Sequence, residues 1–196
     1  MTLDPDVVAD GLATGDTDET NRIIDTIDDL DTTGRYRLYD DLFDACRPVF
    51  EDAEDGYVRQ SVVRALREAY PGVERTPGGV DGFDVEDAFR TDVAAQRDRY
   101  VAFLLDALDD PDGRVRTAAA DAFDLLAVGL GMADLADERD RIAADLNSLA
   151  ASQPAERRTH TEQARRALEH LGVAGVITDV LSERGGEKGD DASADG

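Results

Sequence analysis

Asp55-Gly56-Tyr57-Val58-Arg59 and Asp112-Gly113-Arg114-Val115-Arg116 are two copies of one short phrase, 57 residues apart. Each sets a carboxylate and a guanidinium four residues apart, where a loop becomes an apolar-periodic run. The first run ends in Ala65-Leu66 and the second in Ala122-Phe123. A supersecondary unit used twice predicts a stack of helical repeats, because one unit buries its apolar face only against its neighbour. The signature specifies shape and leaves the partner open, so it does not state a biochemical task.

Working outward, the remaining chain reads as further helices. Asp4-Pro5 starts a short one, with Asp4 as cap and Pro5 in the first turn, running to about Ala13 and stopped by Gly15. Asp18 or Thr20 is the expected cap of a second, with Ile23, Ile24, Ile27 and Leu30 on one face. Gly34 interrupts the pattern, and a longer amphipathic segment follows from Tyr36 to Phe50. Pro48 lies inside it and is expected to kink or divide it. The first repeat helix, Gly56 to Tyr70, turns Val58, Val62, Leu66 and Ala69 inward and ends at Pro71-Gly72. Residues 73–85, with Pro77-Gly78-Gly79 and Gly82, read as an irregular insertion. Asp92 to Leu108 is helical, and Asp109-Asp110-Pro111-Asp112-Gly113 turns into the second repeat helix, expected to end near Val128 before Gly129 and Gly131. Asp134 to Ala151 and Thr161 to Leu171 follow as helices, then a short apolar one at 173–181. No stretch alternates like a strand. The prediction is an all-α domain over residues 1–184, with an acidic, disordered tail at 185–196.

The unit formed by a helix, an Asp-x-x-Val-Arg turn and an Ala-rich helix resembles the HEAT family, in its short prokaryotic form. Phe103 to Leu126 (FLLDALDDPDGRVRTAAADAFDLL) carries the resemblance best, and Leu42 to Ala69 is similar. A third unit, Met132 to Leu171, keeps the closing helix but offers His160-Thr161 in place of Val-Arg. The resemblance implies a right-handed α-solenoid of stacked antiparallel helix pairs. It also implies that Asp55, Arg59, Asp112 and Arg116 form a structural ladder of ion pairs and hydrogen bonds between units. Aligning the three second helices makes Arg64, Asp121 and Arg166 equivalent, and likewise Arg67, Asp124 and Glu169. These six outward residues are the candidate partner-binding face, with a solvated ion-pair ladder as their alternative use.

Composition bounds the setting. Forty-five acidic residues oppose 21 basic ones, a net charge of −24, and Lys188 is the one lysine. The acids run from Asp4 to Asp195 without gathering in a patch, which fits a haloarchaeal protein kept soluble at multimolar salt. Cys46 is alone, so no intrachain disulfide is expected. No apolar stretch reaches the ~18 residues of a membrane span, and the expectation is a soluble, cytoplasmic protein without membrane contact.

Candidate chemistry is sparse. His160 and His170 lack metal-ligand spacing, no Asp-x-Asp-x-Asp-Gly loop occurs, and no Gly-x-Ser-x-Gly elbow is present. Neither a metal, a cofactor nor a catalytic residue is expected. HEAT-like alkylpurine DNA glycosylases hold lesions with aromatic residues on a basic face, and this chain has no Trp. Nothing here matches the pigment site of HEAT-like bilin lyases. Arg157, Arg158, Arg165 and Arg166 make the densest basic cluster, the alternative basis for nucleic-acid binding. The favoured expectation is a non-catalytic adaptor or scaffold binding one or more proteins.

Overall fold

The computed structural model describes residues 3–72 and 92–169. Among them the chain forms eight helices and no strand. They are α1 (Pro5–Ala13), α2 (Thr17–Asp28), α3 (Thr32–Asp52), α4 (Gly56–Ala69), α5 (Asp92–Leu108), α6 (Gly113–Met132), α7 (Ala136–Ser152) and α8 (155–169). The insertion at 73–85, His170, the apolar segment at 173–181 and the tail at 185–196 lie outside the described residues.

Aspartate starts most of these helices. Asp4, Asp16, Asp31, Asp55 and Asp112 each accept a hydrogen bond from an amide of their own first turn, at 2.6–3.1 Å. Each such cap is worth about 1 kcal/mol. The cap of α2 is therefore Asp16, not Asp18 or Thr20. Gly15 turns the chain left-handed (φ +67°) just before it, and Thr20 is fully buried. Gly34 does not interrupt α3 but sits in its first turn, its amide bonded to Asp31 Oδ1.

Three further boundaries differ from the sequence expectation. Pro48 does not divide α3, which runs unbroken from Thr32 to Asp52. Gly129 and Gly131 lie within α6, which ends only where Asp134 takes a left-handed φ of 53° and Leu135 N bonds Leu130 O. α8 starts at 155, six residues before the expected Thr161, because the Pro154 carbonyl accepts from both Arg157 and Arg158 amides.

Helices consecutive in the chain pack as pairs: α1 on α2, α3 on α4, α5 on α6. Across pairs, α1 packs on α3, α2 on α4, α4 on α6 and α5 on α7. One core runs through all of these, with Leu12, Ile27, Leu42, Leu66, Leu104, Phe123, Ile142 and Leu168 buried in it. The few aromatic residues concentrate where α3 meets α5. Tyr39 makes edge contacts with Tyr70 and Tyr100, and Phe103 receives Phe43 and Phe50 edge-on at 5.8 and 4.9 Å. Such pairs add about 1 kcal/mol each beyond area burial. Cys46 lies in the same core, where burial pushes its thiol up to about 12. No described helix is long and apolar enough to cross a membrane.

Candidate interaction face

The repeated phrase puts two turns side by side. Asp55 and Asp112 serve first as caps of α4 and α6, through the Tyr57 and Arg114 amides. Arg59 reaches across to the following turn, but its partner there is Asp110. Nε donates to Asp110 Oδ2 at 2.7 Å and Nη2 to Oδ1 at 3.1 Å, while Nη1 donates to the Ala53 and Glu54 carbonyls. Both side chains are largely buried, Asp110 at 5% exposure and Arg59 at 13%. Four hydrogen bonds from one rigid guanidinium thus tie its own turn to the next.

Arg116 repeats half of that arrangement. Its Nη1 donates to the Asp110 and Pro111 carbonyls, as Arg59 does to its own turn. Across the gap it meets His160 Nδ1, 3.4 Å from its Nε, instead of a carboxylate. Burial, and then the Arg116 charge, lower the His160 pKa below its ordinary value. The third turn is fastened differently: Gln153 donates to Leu108 O and accepts from Thr161, and Arg157 donates to Asp109 O at 2.7 Å. Of the four residues expected to form the ladder, Arg59 and Arg116 act between turns, and Asp55 and Asp112 mainly cap helices. Asp110, which closes the contact, was hidden in sequence among Asp109-Asp110-Pro111-Asp112. Only the position two residues before the cap distinguishes it.

The outward positions of α4, α6 and α8 are open to solvent in whole or part. Arg64 and Arg67 are half-buried on α4, while Asp121, Asp124, Arg166 and Glu169 are exposed on α6 and α8. They do not join into a ladder of ion pairs. Arg166 lies 3.7 Å from Glu162 and Arg165 pairs with Glu169, both within α8. Arg67 lies 3.7 Å from Glu68 beside it. Asp121 receives Gln163 Nε2 at 3.4 Å. Arg64 makes no hydrogen bond or ion pair among the described residues. Partial cover of its carboxylate, and secondarily Asp121, raise the Asp124 pKa above the ordinary carboxylate value.

The surface joining α3, α5 and α7 is unlike this. There Arg47 bridges to Asp106 at 2.7 Å, Arg99 to Asp40 and Asp44, Arg141 to Asp98, and Arg97 to Glu138 at 3.4 Å. Arg99 also lies 4.5 Å over the Phe43 ring.

The basic cluster of the sequence is dispersed in its contacts. Arg157 serves Asp109, Arg158 donates to the Ala150 and Gln153 carbonyls, and Arg165 and Arg166 pair with glutamates of their own helix. Among the described residues no group of three or more His, Cys, Asp or Glu converges as a metal site would. One hollow, of about 460 Å³, lies open between the ends of α1 and α3 and the start of α4. Pro48, Val49, Ala53 and Val58 line it, with Asp52, Glu54 and Asp55 at its rim.

Comparison with protein-family models, curated proteins and solved structures gives no match.

Proposed function

We propose that the chain is a HEAT-like α-solenoid and works as a non-catalytic adaptor or scaffold, holding a partner protein on the face formed by α4, α6 and α8. The pairwise packing of α1 with α2, α3 with α4 and α5 with α6 supports the architecture, as does the Arg59–Asp110 tie between equivalent turns. Solenoids offer extended surfaces of this kind to other macromolecules.

One observation carries the choice of face. In a chain with 45 acidic and 21 basic residues, an arginine that makes no hydrogen bond or ion pair among the described residues is the exception. Arg64 is such an arginine, and by the alignment of the second helices its row continues to Asp121 and Arg166. Arg37, near the start of α3, shares the condition but has no comparable row beside it. The acidic surface supports a high-salt setting, in which long-range attraction is screened within about 3 Å at 1 M. Affinity there rests on apolar contacts and short hydrogen bonds.

The test is capture from a native lysate at roughly 2 M KCl, where exposed charges are strongly screened, with and without nuclease. The expected result is a discrete set of proteins that survives nuclease. An Arg64→Ala/Asp121→Ala variant with unchanged helicity should lose it. Capture indifferent to that variant would discard the face. Recovery that disappears with nuclease would give the function to nucleic-acid binding and to Arg157, Arg158, Arg165 and Arg166.

A further inference from the structure

α6 presents one row of side chains that neighbouring helices leave open. Asp121, Leu125, Val128 and Met132 follow each other at steps of three or four residues, so they lie along one stripe, with Asp124 beside Asp121. Val128 is 37% exposed and Met132 62%, among the few large hydrophobic side chains exposed in the described residues. The rest of α6 shows what the helix does with apolar residues it can cover: Ala122, Phe123, Leu126, Ala127 and Leu130 are all buried. Among the described residues Val128 and Met132 are thus the apolar side chains that α6 leaves uncovered.

The opposite end of the same stripe has the complementary deficit. Asp124 makes no hydrogen bond or ion pair among the described residues, and Asp121 holds only the Gln163 amide at 3.4 Å. Partial cover and the Asp121 charge both disfavour ionised Asp124, as its raised pKa reflects. Two carboxylates on adjacent turns that no cation of the described residues pairs favour a guanidinium or ammonium group brought from outside. From residue 121 to residue 132 the helix rises about 17 Å. Negative charge therefore marks one end of a short apolar track, and exposed thioether the other.

We propose that α6 binds an amphipathic helical segment of a partner protein that sets apolar side chains against Leu125, Val128 and Met132 and an arginine or lysine against Asp121 and Asp124. The segment needs roughly three turns to span both ends, since each turn rises about 5.4 Å. Helix-on-helix docking of this kind is read through anchors at one-turn spacing. The flexible Met132 side chain suits a surface that adapts to its ligand. The proposal rests on the partner-binding reading of the α4–α6–α8 face and adds the chemistry of the partner.

The test uses the full chain with Met132→p-benzoylphenylalanine, irradiated in native lysate, and sequencing of the peptides it captures. The expected peptides come from another protein and carry an arginine or lysine about two turns from apolar residues at helical spacing. A second chain with Asp121→Asn and Asp124→Asn added should lose crosslink yield by about tenfold, the loss of one charge-assisted hydrogen bond. Crosslinks to residues 170–196 of the same chain, or to a second copy of it, overturn the proposal in favour of those occupants. Acidic target peptides, or a yield unaffected by the double substitution, overturn the basic–apolar chemistry while capture sensitive to Arg64→Ala/Asp121→Ala keeps the face. If neither crosslinks nor sensitivity to the Arg64 variant is found, both readings fall together.

Discussion

Asp112 closes over the backbone of Gly56, which stands in the first copy of the Asp-Gly-x-Val-Arg phrase: a Cβ built on Gly56 would stand 1.9 Å from Asp112 Oδ2 and 2.8 Å from its Cβ. The turns that precede α4 and α6 therefore touch through a position that has room only for hydrogen. Gly113 occupies the same place in the second copy of the phrase, yet its added Cβ would meet only the Arg116 guanidinium tip, at 3.4 Å. The third turn does not close over it.

That asymmetry predicts different costs for one substitution. Gly56→Ala should destabilise by about 1–3 kcal/mol, the usual penalty for overpacking. Gly113→Ala should be close to neutral, since a Cβ 3.4 Å from the Arg116 guanidinium is in ordinary van der Waals contact and displaces nothing. Urea unfolding of the two variants measures the difference, and equal midpoints would show that the turns do not stack as described.

Arg59 and Asp110 give the second prediction. Removing one partner of a buried pair strands the other charge, so Arg59→Ala and Asp110→Ala should each cost about 3 kcal/mol. Arg59→Lys should recover little, because an ammonium reaches neither both Asp110 oxygens nor the Ala53 and Glu54 carbonyls together. A double-mutant cycle measured by denaturant unfolding checks the coupling. Additive losses would mean that the pair is not a unit.

His160 supplies a pH dependence. Its folded pKa is lowered, by burial first and by Arg116 second, so the unfolded chain takes up the proton more readily. The neutral form is the one that accepts from Arg116 Nε. Stability should therefore be full above the ordinary histidine value of 6.5 and fall as the pH drops through it towards the lower folded value. His160→Gln should flatten that slope. Thermal midpoints at pH 8, 7, 6 and 5 for both chains test it, and parallel curves would remove His160 as the cause.

Part of the candidate site was legible and part was not, for different reasons. Position in a helix is local, so the spacing of Arg64, Asp121 and Arg166 from their Ala-Leu or Ala-Phe pairs was enough to place them on outward stripes. Whether these positions pair with each other depends on distances between helices, and they do not: Arg166 stays with Glu162, and Arg64 finds no partner among the described residues. The exposed row of Val128 and Met132 was obscured because α6 was expected to end near Val128. Glycine at 129 and 131 reads as a breaker in isolation, but in a packed helix the neighbours supply the stability that its backbone entropy removes.

Periodicity and Asp caps alone were sufficient for the all-helical character of the described residues and for the starts of α1, α4 and α6, because an N-cap bond spans two or three residues and an apolar stripe one or two turns. Tertiary packing chose which carboxylate answers Arg59. Asp55, Asp110 and Asp112 have the same chemistry, and each stands near an equivalent turn. Asp110 is the one whose carboxylate meets the guanidinium across 51 residues of chain. Asp112 is meanwhile held by its own helix and by the closeness of Gly56. A contact of that sequence separation is set by how two helix pairs dock, and no local pattern encodes it.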